Sequence, residues 1–213
     1  LIFISSLAVF AVLPTHAQAA ETDEVSSSTL QAIVLVQCDR RQGSGTVLNA
    51  QDGYILTNAH VVLNLATKQP PARGCTAFFY NPATGKADIP YRTTIIRSTF
   101  DEATGRDFAI LQISTPITRL TVPTPFPSLV INPFPSVGDR VFTVGYVGSQ
   151  LPVIERGFVQ RFNDGYIQTS AIIRPGNSGG AGINAQSDLV GIPTRVVTIS
   201  EEQQVQQTRY ELV

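Results

Sequence analysis

Arg174-Pro175-Gly176-Asn177-Ser178-Gly179-Gly180 is the stretch on which the reading of this chain turns. Glycines on both sides of one Ser suit a tight main-chain turn that exposes Oγ and aims consecutive N–H groups into a common concavity. An oxyanion hole requires that arrangement. Composition alone also permits a plain Gly-rich turn.

Outward from Ser178, the next informative residue is a histidine. His16 falls in an apolar N-terminal stretch, which leaves His60 as the only imidazole of the expected mature chain. It sits in Thr57-Asn58-Ala59-His60-Val61, where a strand ends on a small residue just before the His. A hydrogen-bonded structural histidine is the alternative reading. One His with two cysteines far from it in sequence makes a poor metal site, so no metal is expected. A third segment, Gly105-Arg106-Asp107-Phe108-Ala109-Ile110-Leu111, sets an acid at the start of an apolar strand. There a carboxylate can lie at the edge of a core and orient an imidazole, although any loop-to-strand junction carries Asp.

Around these segments, short alternating or β-branched runs outnumber helical patterns. Strands are expected at 32–37, 45–48, 54–57, 75–80, 91–97 and 108–113, then at 140–147, 153–162, 166–172, 180–183, 189–199 and 210–213. Six strands on each side point to an all-β sandwich or paired barrels. Between them, residues 117–135 carry Pro123, Pro125, Pro127, Pro133 and Pro135, which deny the segment both helix and central strand. The expected division is a first β lobe at 30–116, a Pro-rich connector at 117–135 and a second lobe at 136–213.

The chain of 213 residues has 15 Lys+Arg, 16 Asp+Glu and a net charge of −1, without a polybasic stretch, so a nucleic-acid partner is not expected. With 43 % hydrophobic residues, disorder is excluded too. Residues 1–13 (LIFISSLAVFAVL) are too short to span a bilayer and lead through Pro14 to Ala17-Gln18-Ala19. This reads as a secretory signal, residues 1–19, with cleavage after Ala19; an uncleaved membrane anchor is the alternative. Residues 20–29 would then be the mature N-terminal segment, and the product a secreted or periplasmic protein without stable membrane insertion. The absence of any Met, including at position 1, adds the expectation of a fragment or processed product. In such a compartment Cys38 and Cys75 read most simply as one disulfide, with two buried free thiols as the other possibility.

Taken together, His60, Asp107 and Ser178 occur in the order found in chymotrypsin-like proteases. The chain resembles a trypsin-like serine protease, and most closely the HtrA/Deg type of bacterial secreted proteases. The strings that carry the resemblance are Gly43-Ser44-Gly45-Thr46-Val47, Thr57-Asn58-Ala59-His60-Val61, Asp107-Phe108-Ala109-Ile110-Leu111, Gly138-Asp139, Val144-Gly145, Gln168-Thr169, Pro175-Gly176-Asn177-Ser178-Gly179-Gly180 and Gly191-Ile192. They cover the protease domain; many members also carry a PDZ domain, which these 213 residues do not contain. The resemblance implies two six-stranded antiparallel β-barrels with the active site in the cleft between them. It implies His60 as general base, Asp107 as its orienting acid, Ser178 as nucleophile, and the N–H groups of Gly176 and Ser178 as the oxyanion hole. Peptide bonds of protein or peptide substrates would be hydrolysed through an acyl-enzyme, with no cofactor. Trimers are frequent among HtrA relatives, so a homo-oligomer is a further implied possibility.

By the same correspondence Ile172 would floor the primary specificity pocket, and Thr194, Arg195 and Val196 would form its rim and pair with substrate as an added strand. An apolar floor cannot pair a buried Lys or Arg, so cleavage after small or medium aliphatic residues is expected. Thr194 is expected to back Asp107 through its hydroxyl. Ala181 and Pro193 depart from the family pattern, and Pro193 threatens the substrate-binding edge by lacking an N–H. The Gln-rich residues 199–208 read as an exposed hairpin loop. A latent or inactive pseudoprotease that binds peptides, and an adhesive β domain, are the competing functional classes.

Overall fold

The structure, a computed structural model, describes residues 25–49, 51–101, 104, 106–116, 128–132, 134–148, 151–163, 165–200 and 206–213. The expected signal at 1–19 and most of the Pro-rich connector lie outside the described residues. After a one-turn helix α1 (Ser27–Gln31), six strands wrap into a barrel. They are β1 (Ile33–Cys38), β2 (Arg41–Asn49), β3 (Tyr54–Thr57), β4 (Cys75–Asn81), β5 (Lys86–Asp101) and β6 (Arg106–Pro116). The barrel closes in the order β1-β2-β3-β6-β5-β4. A second short helix, α2 (Ala59–Val62), follows β3 directly.

Seven further strands make the second lobe: β7 (Arg140–Tyr146), β8 (Pro152–Asn163), β9 (Tyr166–Thr169), β10 (Ala181–Ile183), β11 (Leu189–Gly191), β12 (Pro193–Ser200) and β13 (Gln206–Leu212). Their order is β11-β10-β7-β8-β9-β13-β12, and its two ends are consecutive in the chain, joined at Ile192. The chymotrypsin-like double barrel is therefore present, with one lobe closed and the other nearly so. The single strand expected at 189–199 is split, because the chain changes partner from β10 to β13. Ile192 marks the change by exchanging two main-chain hydrogen bonds with Val213 (2.7 and 3.0 Å). Of the hairpin loop expected at 199–208, the flanks are paired strand, with Ser200 opposite Gln206 and Ile199 opposite Gln207, and 201–205 lie outside the described residues. Main-chain pairing of this kind needs no apolar side chains, which is why a polar Gln-rich sequence concealed it.

β1 explains how the lobes adhere. Val34, Val36 and Cys38 point into the first barrel with Val47, Ile55, Phe79 and Leu111. Ile33 and Leu35, on the opposite face, pack against Phe142, Val144, Tyr146, Ile183 and Leu189 of the second lobe. With both faces buried, β1 reads as an unbroken apolar run rather than as an alternating one. Each such side chain contributes about 1.5–3 kcal/mol relative to exposure. Past the connector, Leu129 N–H donates to Val47 O (3.0 Å) and Asn132 N–H to Leu189 O (2.8 Å), tying the end of the crossing to both lobes.

Cys38 and Cys75 form a disulfide between the last residue of β1 and the first of β4, which lie side by side in the ladder. The bridge closes 37 residues that include α2 and His60. Replacing both cysteines by Ala is expected to lower unfolding stability by about 4 kcal/mol in the chain-entropy description. Urea denaturation of the variant against the oxidised protein measures the difference.

Candidate active site

Asp107 is the second residue of β6, opposite Phe100 of β5, and is 7 % exposed. Its two carboxylate oxygens both serve His60. Oδ1 accepts the His60 main-chain N–H (3.0 Å) and Oδ2 lies 2.5 Å from His60 Nδ1. Asp107 thus caps an orphan N–H in the first turn of α2 and holds the imidazole with the same group. Backbone and ring are fixed together, which leaves the ring little freedom and turns Nε2 away from the acid.

Asn58, the N-cap of α2, makes no capping hydrogen bond with its side chain. Its Nδ2 donates instead to Asp107 O (2.6 Å) and to Thr194 Oγ1 (3.0 Å). Thr194 in turn donates its hydroxyl to Ile192 O (2.9 Å). The expected contact from the Thr194 hydroxyl to the Asp107 acid is therefore corrected: the hydroxyl proton is spent on Ile192, and the link runs through the Asn58 amide to the Asp107 main chain. Asn58 is completely buried and was not singled out from sequence, although it lies inside the quoted His60 string.

Ser178 belongs to a turn wedged between the lobes. Gly176 (φ +102°) and Gly179 (φ +80°) adopt conformations that L side chains rarely take. At Gly179 a Cβ would lie 2.2 Å from Thr57 Oγ1 and 2.4 Å from Ser44 O, and at Gly176 one would lie 2.3 Å from Tyr146 O. The turn is held by Asn177 N–H to Arg174 O (2.9 Å), Gly179 N–H to Pro193 O (3.0 Å) and Gly180 N–H to Asn177 O (2.9 Å). Among the described residues the N–H groups of Gly176 and Ser178 have no main-chain acceptor. Alternate N–H groups are thus consumed and left over, and the two left over flank Asn177. Ser178 Oγ has no hydrogen-bond partner among the described residues, and the ring contact of His60 is to Asp107.

Pro193, expected to threaten the binding edge, sits at a bulge in the β12–β13 pairing, where a missing N–H is tolerated, and lends its carbonyl to the N–H of Gly179. β12 is the last strand of its sheet, so among the described residues no strand pairs with its second edge. Along it Thr194 is buried, whereas Arg195 and Val196 are exposed. Ile172 is half-buried and its carbonyl accepts from Thr143 Oγ1 (3.0 Å). Sequence reasoning also passed over Ser44, fully buried, and the Arg174–Glu155 ion pair (2.9 Å), which ties the start of the turn to β8. The Gly-Ser-Gly of Gly43-Ser44-Gly45 was the available signal for Ser44.

A family model described as a trypsin-like peptidase domain matches residues 43–192. The periplasmic pH-dependent serine endoprotease DegQ of Escherichia coli is 30 % identical over 168 residues, 73 % of this chain and 31 % of the relative. The serine protease PepD of Mycobacterium tuberculosis is 26 % identical over 199 residues, 84 % of this chain and 40 % of the relative. A serine endoprotease from Yersinia pestis, known from its crystal structure, superposes with a TM-score of 0.61 at 27 % identity, covering 81 % of this chain and 58 % of that one. The chain spans about a third of the length of the curated relatives it matches.

Gly179→Ala is expected to destabilise the protein by more than about 2 kcal/mol, since the new methyl meets main-chain atoms on a left-handed residue. Thermal unfolding followed by circular dichroism reads the loss, and Gly138→Ala, with open space around its Cβ, serves as the positive-φ control.

Proposed function

We propose, since the chain belongs to the trypsin-like peptidase family, that it is a secreted or periplasmic serine endopeptidase acting through an acyl-enzyme. The observation that carries the reading is the two-handed grip of Asp107 on His60, set beside a turn with two unspent N–H groups around Ser178. His60 takes the proton of Ser178 Oγ as Oγ attacks the scissile carbonyl, then returns it to the leaving amine. Asp107 keeps Nδ1 protonated, so that Nε2 is the base, and stabilises the imidazolium. The N–H groups of Gly176 and Ser178 receive the oxyanion; removing one such donor typically costs about 3–4 kcal/mol of the barrier reduction. Water then repeats the sequence on the ester.

Protein or peptide substrates are bound as a strand added to the free edge of β12, at Thr194, Arg195 and Val196. Cleavage after small or medium aliphatic residues follows from the apolar Ile172 at the expected pocket floor. The division into lobes at 30–116 and 136–213, with a removable segment at 1–19, forms part of the same proposal. Among the described residues no helix is long and apolar enough to cross a membrane.

Incubation with a fluorophosphonate followed by peptide mass mapping is expected to label Ser178, and the label is expected to vanish in His60→Ala. Labelling elsewhere, or none on the folded protein, would overturn the assignment in favour of an inactive peptide-binding relative. Ser178→Ala is expected to abolish casein cleavage while leaving Tm nearly unchanged, because this half-buried hydroxyl bonds no other group among the described residues. Asp107→Asn is expected to lower kcat by about 10⁴-fold through the wrong imidazole tautomer.

A further inference from the structure

Four side chains on four neighbouring strands line up across one face of the second lobe. The register sets Arg161 of β8 opposite Gln168 of β9, Gln168 opposite Glu211 of β13, and Glu211 opposite Arg195 of β12. Each pair is bonded. Arg161 Nε donates to Gln168 Oε1, Gln168 Nε2 donates to Glu211 Oε1 (3.4 Å), and Arg195 Nε donates to Glu211 Oε2 (2.5 Å). Gln168 and Glu211 are each 3 % exposed, so the middle of this ladder is buried, while 43 % of the Arg195 side chain remains accessible. The Arg195 guanidinium also stacks 3.9 Å above the Tyr166 ring. The Tyr166 hydroxyl is held above its ordinary pKa, chiefly by burial, with Arg195 opposing and the charges of Glu211 and Asp107 adding to the rise.

Read across the strands, the charges run positive, neutral, negative, positive, and they stop at the free edge of β12. Two guanidinium groups face one carboxylate, which leaves an excess positive charge on the ladder. Nε of Arg195 is committed to Glu211, whereas a guanidinium has further N–H donors in a fixed fork. A peptide that adds to the edge of β12 puts one side chain directly opposite Arg195 and on the same face, as cross-strand neighbours are. Its neighbours on either side point to the opposite face.

We propose that Arg195 selects substrates bearing a carboxylate side chain at the single position, N-terminal to the scissile bond, that pairs with it on β12, so that the substrate completes the ladder as its fifth rung. This rests on the peptidase reading above for the existence of the substrate strand. Glu211 and Gln168 are positioning residues: they hold the guanidinium in register and take part of its charge.

The test measures binding, so that it does not depend on turnover. Fluorescein-labelled peptides with Val before the scissile bond, and Asp or Asn scanned through the preceding positions, are titrated against the full chain carrying Ser178→Ala. Asp is expected to improve affinity over Asn by about fivefold at one position only. The preference is expected to disappear in Arg195→Gln, to increase in Glu211→Gln, which frees the guanidinium, and to shrink in about 0.5 M salt. Should Arg195→Gln fail to fold because Glu211 is left buried and unpaired, the double variant Arg195→Gln/Glu211→Gln gives a neutral ladder for the same comparison. An unchanged Asp-to-Asn ratio in the Arg195 variants, or a preference of equal size at every position, would overturn the proposal. Fluorophosphonate labelling of Ser178 in the unmutated chain separates the two claims: labelling without acid preference sinks the ladder and keeps the peptidase, and acid preference without labelling does the reverse.

Discussion

Four hydrogen bonds converge on the buried Ser44, and the cleft depends on them. Its N–H donates to Ser178 O (2.8 Å), its hydroxyl donates to Gly176 O (2.8 Å) and accepts from Tyr146 N–H (2.8 Å), and its carbonyl accepts from Thr57 Oγ1 (2.6 Å). β2, β3, β7 and the nucleophile turn thereby meet at one residue with every polar atom satisfied. A typical bond of this sort contributes only about 0.5–1.5 kcal/mol, but an orphaned buried carbonyl or N–H costs more. The glycines around the turn follow from this crowding: a Cβ at Gly180 would lie 3.2 Å from that of Ser44, and one at Gly145 would lie 2.8 Å from Ser44 Oγ. Both Gly176 and Ser178 give their carbonyls to Ser44, which fixes the peptide planes that carry the Asn177 and Gly179 N–H groups.

What Ser44 does for the Ser178 turn, Asp107 does for His60. Both use one small polar group to hold a main-chain atom and a functional atom together. Geometry around His60 and Ser178 is consequently set in large part by the main chain, held from β2 and β6. The Arg174–Glu155 pair adds less, being half exposed on the arginine side.

Six strands of the first lobe were legible because their apolar residues alternate or form short β-branched runs, and the candidate triad was legible because chemistry restricts residue type. The extent of β5 was not, since its ends contain Lys86, Asp88 and Asp101 and its middle contains Pro90. α1 escaped as well: five residues carry too little periodicity, although Ser26 caps it by accepting from Thr29 N–H (3.2 Å). The cross-strand ladder was invisible for a different reason. Arg161, Gln168, Arg195 and Glu211 are scattered through fifty residues of sequence, and only strand register aligns them. Thr194, Arg195 and Val196 were expected as one rim, yet the alternation of a strand gives Arg195 a different face from its neighbours.

β1 has a bearing on how this architecture can vary over generations. A strand that contributes one face to each lobe must answer to two sets of neighbours at once, Val34 and Val36 to one barrel and Ile33 and Leu35 to the other. Half of such a molecule cannot be exchanged for the matching half of a relative without carrying along the foreign face of β1.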